Sequence, residues 1–346
     1  MKKVKLGEMI TFQRGYDLIH NQMKGGKIPV VGSSEIIGWH DEVKVKAPVL
    51  LIGRSGTVGR PQYYDTDIWA HNTTLFVSDF HGNDPKFCFY FLQNLNLENY
   101  ANSSSVPTLN RNSIHPLEVP LPDLPTQTAI AKILSSLDEK IALNNKINKE
   151  LEAMAKELYD YWFVQNAEES WELTKINDLL KKYTDTSGRI DAKNIQKEGK
   201  YPVITQDVGD LVKGYTNEDN PISDLPAIIF GDHSCTLRYI DFPFFRGADG
   251  TQLMYFENKK IINYIYYCMS KLIPYLPNFG KYERHFKYLK DFEILVPPTD
   301  LIDNFNNLIT PIFSQINFNR NENYTLSQLR DFLLPMLMNG QVNIAD

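Results

Sequence analysis

Residues 53–60 (GRSGTVGR) hold two arginines, two hydroxyl side chains and three glycines within eight positions. Glycine lets the backbone approach a phosphate group closely, and arginine bonds a guanine edge through two donors. This chemistry favours DNA contact, although an ordinary surface hairpin turn has the same composition. A nucleotide-binding P-loop is excluded because no Gly-Lys-Ser/Thr sequence follows. The candidate contacts, with one amide from the nearby segment HNTTL, are Arg54, Ser55, Thr57, Arg60 and Asn72.

Three further segments carry similar polar chemistry. Residues 102–111 (NSSSVPTLNR) offer hydroxyl and amide groups, residues 232–238 (DHSCTLR) take the place of residues 53–60 later in the chain, and residues 278–285 (NFGKYERH) are basic and aromatic. Such groups suit phosphate and base contacts, and an ordinary solvated loop is the alternative. The candidate residues are Thr108, Asn110, Arg111, His233, Ser234, Arg238, Lys281, Tyr282, Arg284 and His285.

The elements that position these segments are organised around one long helix. Residues 126–164 contain neither glycine nor proline. Apolar residues recur there at steps of three, four or seven with one interruption, which predicts a helix with one apolar face. Thr126 is the predicted N-cap. The apolar positions are Ile130, Ile133, Leu134, Leu137, Ile141, Leu151, Met154, Leu158 and Trp162.

The same apolar seam recurs near the C-terminus, at Phe305, Leu308, Ile309, Ile312, Ile316, Leu326, Leu329, Leu333 and Leu337. The interruptions coincide too, since Asn144 and Asn148 match Asn319 and Asn323. Matched seams indicate an internal repeat, and asparagine in a coiled-coil seam lowers stability but fixes register. We expect two antiparallel helices with the four asparagines bonding across the pair; solvent exposure of these asparagines is the alternative. Pro335 should end or kink the second helix.

The regions before and between the helices also resemble each other. Short β-branched and aromatic runs bounded by Gly, Asp and Asn predict many short strands in both. The predicted fold is α+β, with two mixed α/β domains separated by two long helices that form an antiparallel coiled coil with pseudo-two-fold symmetry. The predicted boundaries are residues 1–122, 123–167, 168–297 and 298–346. Aromatic runs at 87–91 and 264–267 have helical spacing, which favours core packing over base stacking.

Composition limits the function classes. The 346 residues carry a net charge of −6, and the acidic excess lies on the helical segments, so DNA binding by the near-neutral domains is permitted. Three separated cysteines predict neither a disulfide framework nor a metal site. No apolar run suits a bilayer and no signal peptide is evident, which indicates a cytoplasmic protein. Aminomethyltransferase tetrapeptides and a Walker A sequence are missing, which argues against an enzyme.

Several separated segments resemble specificity subunits of type I restriction-modification systems. They are LEVPLPDLPTQTAIAKILSSLDEKI at the start of the first helix, LYDYWF at its end, FEILVPP before the second helix, LRDFLLPMLMNGQV near the C-terminus, and the opening VKLGEMITFQRGYDL. The resemblance covers the whole chain. One departure is Ile302, which stands where the first half has Gln127. The resemblance therefore implies no counterpart of that glutamine's function in the second half.

The resemblance implies two target-recognition domains, residues 1–122 and 168–297, that each read one half of a bipartite double-stranded DNA sequence. The helices at 123–167 and 298–346 would set the number of unread base pairs and dock methyltransferase subunits, usually two. Restriction motor-nuclease subunits would complete the enzyme. This chain would have no catalytic centre, and S-adenosylmethionine, ATP and Mg²⁺ are expected on the partner subunits.

A second hypothesis is a coiled-coil scaffold with two domains that bind peptides or other ligands. The lack of a basic excess favours it slightly. Salt-sensitive binding of duplex DNA by the partnered complex would distinguish the two, because phosphate contacts release counterions.

Overall fold

The computed structural model describes residues 1–103, 107–181, 188–247, 250–277 and 284–342. The chain divides into two compact units, residues 1–144 with 321–346 (unit 1) and residues 145–320 (unit 2). Each unit contains one sheet-rich domain together with one segment from each of two long helices. The domain of unit 1 is called domain 1 below, and that of unit 2 is called domain 2.

Domain 1 is built on short strands because its β-branched runs are broken by turn residues every few positions. The strands form a four-stranded sheet in the order β2-β8-β5-β6, a three-stranded sheet β4-β3-β7 and a β1-β9 pair. The elements are β1 (Lys2–Lys5), α1 (Leu6–Met9), β2 (Thr11–Arg14), β3 (Ile28–Val31), β4 (Ile36–His40), β5 (Val49–Gly53), β6 (Pro61–Tyr64), β7 (Trp69–Ala70), β8 (Thr74–Asp79), α2 (Pro85–Gln93), α3 (Arg111–Ile114) and β9 (Glu118–Leu121).

The first long helix, α4, spans Leu124–Asp160 and continues into a π-helical turn at Tyr161–Gln165. It starts earlier than the sequence predicts, and the predicted N-cap Thr126 is wrong. The carboxylate of Asp123 accepts from the backbone N–H of Thr126 at 3.1 Å, so Asp123 satisfies a free amide of the first turn. Hydrogen bonds from the hydroxyl and from the backbone N–H of Thr126 lower the pKa of the Asp123 carboxyl group.

Domain 2 repeats the order of domain 1. Its sheets are β15-β14-β17 and β11-β16-β12-β13, with a β10-β18 pair. The elements are β10 (Glu172–Lys175), α5 (Ile176–Leu179), β11 (Arg189–Ile190), β12 (Tyr201–Ile204), β13 (Gly214–Thr216), β14 (Ala227–Gly231), β15 (Leu237–Ile240), β16 (Phe245–Gly247), β17 (Thr251–Met254), α6 (Ile262–Leu272), α7 (Phe286–Asp291) and β18 (Glu293–Val296).

The second long helix, α8, spans Thr299–Met338 and ends three residues after Pro335, close to where the proline predicts an end. The helical segments run antiparallel within each unit. In unit 1, Asp138 contacts Arg330 and Asn144 contacts Asn323. In unit 2, Asn148 contacts Asn319 while Phe163 packs on Phe305. The predicted α+β fold class is confirmed.

The predicted apolar seam is buried only in part. Ile130 and Leu134 join the core of domain 1, and Phe305 and Ile309 join that of domain 2. Met154, Leu308 and Leu329 are exposed instead. Near Met154 the buried stripe follows steps of four, at Ala155 and Tyr159 of α4 and at Phe163 of the π-helical turn, because α6 packs there with its tyrosines. The aromatic helices α2 and α6 lie in the cores, as their spacing predicts.

Candidate nucleic-acid interface

Three predicted segments of domain 1 meet where β5 ends. The backbone N–H groups of Arg54 and Ser55 both donate to the carbonyl of Thr73, at 2.7 and 3.2 Å. The carbonyl of Arg54 accepts from the N–H of Leu109 at 2.8 Å, and Ser55 forms a bridge with Thr108. Residues 54–60, 71–75 and 108–111 are thus brought together by backbone hydrogen bonds.

The glycine at the end of β5 allows this tight loop. A Cβ atom on Gly53 would lie 1.7 Å from the carbonyl oxygen of Thr57, so any larger residue would force the loop apart. The loop closes where the N–H of Gly59 donates to the carbonyl of Gly53 at 2.8 Å. Thr57 and Arg60 are exposed on it, and Arg54 and Ser55 are half-buried.

Side-chain contacts show which of these groups have partners already. The guanidinium of Arg54 donates to the carbonyl of Asn72 at 3.3 Å. The amide of Asn72 donates to the carboxylate of Asp17, which also accepts from Arg14 at 2.9 Å. Sequence reasoning missed Arg14 and Asp17. They sit in the segment QRGYDL, whose charges were the only signal, and only tertiary pairing places them beside Asn72.

Residues 108–111 serve the local structure as well. Asn110 is the N-cap of α3, since its side-chain oxygen accepts from the N–H of Asn112 at 2.9 Å. Arg111 donates to the carbonyl of Phe12 at 3.2 Å. The N–H of Phe12 donates to Nε2 of His115 at 3.1 Å, so that nitrogen has to be unprotonated. Burial and the nearby Arg111 charge lower the pKa of His115.

In domain 2, Asp232 ties residues 232–238 to the start of α7. Its buried carboxylate accepts from the N–H of Phe286 at 2.8 Å and from the amide of Gln252 at 3.2 Å. Its carbonyl accepts from the backbone N–H and from Nδ1 of His285, both at 3.0 Å. His285 is only 6% exposed, so it holds this corner together and offers almost no surface to a ligand.

The other predicted residues of domain 2 lie around this corner. Arg284 and His233 are exposed, and the hydroxyl of Ser234 bonds that of Thr236 at 2.9 Å. Arg238 donates to the carbonyls of Asp207 and Gly209, at 3.2 and 2.7 Å. Lys281 and Tyr282 lie outside the described residues.

The four asparagines lie at the helix contacts of their units. In unit 1, the amide of Asn144 donates to Glu322 at 2.6 Å and to Asn323 at 2.9 Å. Hydrogen bonds from Asn144 and from Lys140 lower the pKa of the Glu322 carboxyl group. In unit 2, the amide of Asn319 donates to the buried Asn148 at 2.8 Å. Asn148 in turn donates to the carbonyl of Ile316 at 3.4 Å.

Across the described ranges, His, Cys, Asp and Glu nowhere gather in a group of three or more that could hold a metal ion. No helix in that same part of the chain is both long and apolar enough to cross a membrane.

Comparisons with known proteins agree with this picture. Residues 1–153 match the model of the family described as type I restriction modification DNA specificity domain. The chain is 26% identical over 290 residues to the MjaIX specificity subunit of Methanocaldococcus jannaschii. This alignment covers 72% of this chain and 66% of that protein. It is 32% identical over 116 residues to the HindI specificity subunit of Haemophilus influenzae, covering 31% of this chain and 25% of the relative.

A solved structure shows the same fold. The S subunit of a type I restriction-modification system from M. genitalium superposes with a TM-score of 0.69 at 18% identity, covering 99% of this chain and 96% of that one. The curated relatives are matched over less than two thirds of their own length. The predicted resemblance to type I specificity subunits is confirmed.

Proposed function

We propose that this chain is the non-catalytic DNA sequence-specificity subunit of a type I restriction-modification enzyme. The observation that carries the proposal is that each domain gathers separate polar loops at the end of its central strand, β5 or β14. The two loop sets differ in residue type while the strands below them correspond. Two domains with corresponding strands and different loop residues suit a DNA target with two different half-sites.

In domain 1, DNA contacts would come from the arginines, hydroxyls and amides of the loops. Arg54 and Arg60 suit guanine edges or phosphates, and the hydroxyl groups suit either. Domain 2 would use His233, Ser234 and Arg284, together with Lys281 and Tyr282. We assign supporting functions to Asn110, Arg111, Arg238 and His285, because their bonds hold α3, β2, the turn between β12 and β13, and Asp232 in place. Arg54, Asn72 and Ser234 also have hydrogen bonds within their domains, and they would exchange these bonds for contacts with DNA. The remaining contacts proposed in domain 1 are Ser55, Thr57, Asn72 and Thr108.

The proposed partners are double-stranded DNA, methyltransferase subunits, two in number, and restriction motor-nuclease subunits. Exposed aromatic side chains on α8 support docking of another protein, since Phe332 in unit 1 is 63% exposed and Phe318 in unit 2 is 62% exposed. We place S-adenosylmethionine, ATP and Mg²⁺ on those partners, and the whole enzyme in the cytoplasm.

Both long helices contribute residues to both units. We propose that their length fixes the number of unread base pairs in the target and that the buried asparagines fix their register. The domain boundaries at 122, 167 and 297 remain part of this proposal.

The test is to express the chain with its methyltransferase subunit in a host lacking adenine methylation and to map methylated adenines across the genome. A motif of two short halves separated by unread positions is expected. One continuous motif, or no methylation, would contradict the proposal. Replacing both Arg54 and Arg60 by alanine should relax one half of the motif, whereas alanine at the exposed Lys146 of α4 is the matched control and should leave both halves unchanged.

The scaffold alternative predicts a different outcome. A scaffold that binds peptides would leave the DNA affinity of the partnered complex near zero at any salt concentration. A specificity subunit predicts binding that weakens steeply between about 50 and 200 mM salt.

A further inference from the structure

A side chain on β6 clamps a neighbouring turn in domain 1. The amide nitrogen of Gln62 donates to the carbonyls of Gly32 and Ser33, both at 3.1 Å. The amide oxygen accepts from the hydroxyl of Tyr64 at 2.9 Å, which holds the amide in the orientation that donates to both carbonyls. Residues 32–35 form the turn that joins β3 to β4.

A side chain on β15 does the same in domain 2. The Nη2 atom of Arg238 donates to the carbonyls of Asp207 and Gly209. These carbonyls belong to the turn that joins β12 to β13. An ion pair between Asp207 and Lys213, at 2.8 Å, closes the same turn.

The two clamps occupy the same place in the two domains. Gln62 lies opposite Leu51, the third residue of β5, and Arg238 lies opposite Ile229, the third residue of β14. The clamped turns also correspond, because β3 pairs with β4 antiparallel and β7 parallel, as β12 pairs with β13 and β16. The clamp is therefore shared, while the residue that makes it differs.

Each clamped turn packs against the proposed DNA loops of its own domain. In domain 1, Cβ atoms built on Gly53 and Gly56 would lie 3.0 and 3.1 Å from atoms of Ser33. In domain 2, Gln206 accepts from the N–H of His233 at 3.1 Å, and its carbonyl accepts from the hydroxyl of Thr236 at 3.1 Å. Turn and loop form one continuous surface in each domain.

We propose that the turns at 32–35 and 205–213 are additional DNA-reading segments, and that Gln62 and Arg238 are the positioning residues that hold them. This inference rests on the proposed function. Ser34 and Glu35 are exposed on the first turn, and a hydroxyl and a carboxylate contact base edges, the carboxylate by accepting from cytosine. On the second turn Val208 is 82% exposed, and an apolar side chain packs against a thymine methyl group.

The two domains make the test internally controlled. Wild type, Gln62→Ala and Arg238→Ala are each expressed with the methyltransferase subunit, and methylated adenines are mapped. Gln62→Ala should relax one half of the motif, with preference at one or more positions falling about tenfold, the size of one lost base contact. Arg238→Ala should relax the other half only.

A conservative substitution separates positioning from simple stability. Arg238→Lys keeps a charged donor on a side chain of nearly the same length and should retain more of the wild-type motif than Arg238→Ala does. Gln62→Glu has nearly the same shape but no donor, so it should behave as Gln62→Ala does. Gln13→Ala, on β2 of the same sheet, is the matched control and should change nothing.

The outcomes distinguish failure of the proposed function from failure of the positioning inference. If the wild type gives no bipartite motif, the proposed function fails. If the wild type is bipartite but Gln62→Ala and Arg238→Ala keep its motif, or relax both halves alike, the positioning inference fails alone. The inference also fails if Gln13→Ala relaxes the same half. Should Gln62→Ala not fold, Gln62→Glu and Tyr64→Phe give the same readout with smaller changes in volume.

Discussion

The two units bury side chains of opposite polarity at corresponding positions near the start of their long helices. In unit 1, the buried Gln127 donates to Asn83 at 2.8 Å and to the carbonyl of Pro122 at 3.0 Å, and accepts from the N–H of Asp84 at 3.0 Å. In unit 2 the corresponding residue is Ile302, which packs in an apolar cluster. Both side chains are 2% exposed, so burial is equal and only the polarity differs.

A second position shows the same contrast. Asp138 of α4 accepts from the hydroxyl of Tyr90 at 2.6 Å and from Arg330 of α8 at 2.7 Å. In unit 2, Phe313 stands on α8 where its repeat partner Asp138 stands on α4, and it stacks on Tyr239 at 4.2 Å between ring centroids. Burial raises the pKa of Tyr90, and the bond to Asp138 adds to that effect.

At these two pairs of positions the two halves of the repeat keep the same packing arrangement, but the interactions are hydrogen bonds in unit 1 and apolar contacts in unit 2. A hydrogen-bonded joint demands specific partners, since a buried polar group left unpaired costs about 1–3 kcal/mol. An apolar joint tolerates substitutions of similar volume. We therefore expect unit 1 to be the more sensitive to polar substitutions and unit 2 to changes in volume.

The largest expected effect comes from exchanging the residues at the helix starts. Ile302→Gln would bury an amide in the apolar cluster and should destabilise unit 2 by about 3 kcal/mol, combining lost burial with an unpaired amide. Gln127→Ile should destabilise unit 1 by about 2 kcal/mol, because Asn83 and the N–H of Asp84 lose their partner. Hydrogen exchange of the amides in α6 and α2 would report the two units separately.

Ile302→Leu is the control for that exchange and should cost less than about 1.5 kcal/mol. A gain of stability in Gln127→Ile would show that the hydrogen bonds of Gln127 do not stabilise unit 1. The difference in polarity between the two units would then have no effect on their stability.

An intermediate effect is expected at Asp138. Asp138→Leu removes the acceptor of the Tyr90 hydroxyl and one of the two carboxylates that pair with Arg330, and it should destabilise unit 1 by about 2 kcal/mol. Adding Arg330→Leu should recover little of that loss, because Arg330 stays paired with the carboxylate of Asp331 at 2.9 Å when Asp138 is replaced. Phe313→Leu in unit 2, which keeps an apolar contact, should cost only about 1 kcal/mol. Thermal and denaturant unfolding of the wild type and the three variants would measure these losses of stability. Equal losses for Asp138→Leu and Phe313→Leu would contradict the expected difference between the units.

The smallest expected effect is a dependence of unit 1 on acid. The pKa of His115 is lowered in the folded chain, so the unfolded chain binds the proton more readily. Stability should be fully present above the ordinary histidine pKa of about 6.5 and decline as the pH falls toward the lower folded pKa. His115→Gln should flatten this decline in the unfolding free energy between about pH 7 and 5. A decline of unchanged slope in the variant would assign the acid sensitivity elsewhere.

The sequence predicted the helices well because their signal is periodic and local. The seam at Ile130, Leu134, Phe305 and Ile309 identified the buried faces. It failed at Met154 and Leu329, which are exposed. Near Met154 the buried face is set by the tyrosines of α6, which pack on Tyr159. The sequence predicted the N-cap at Thr126 instead of Asp123. The helix starts at Leu124 and includes Pro125, because proline is tolerated in the first turn of a helix.

The candidate site was predicted less completely. The loop at 54–60 was found because glycines and arginines concentrate there, but the turns at 32–35 and 205–213 carry no such signature. Arg238 looked like a DNA contact because arginine beside a polar loop usually suggests one. Its partners are two backbone carbonyls from residues about 30 positions away, at 3.2 and 2.7 Å, and no local pattern encodes such a pairing.

The sequence by itself determined the repeat, the long helices, their apolar and asparagine positions and the resemblance to type I specificity subunits, because these depend on residue types at short, regular spacing. Only the tertiary structure decided which loops share a surface and which polar groups are already engaged. The physical reason is that a hydrogen bond needs its partner within about 3 Å, and distant segments such as Gln62 with Ser33 or Asp232 with His285 meet only after the sheets have formed.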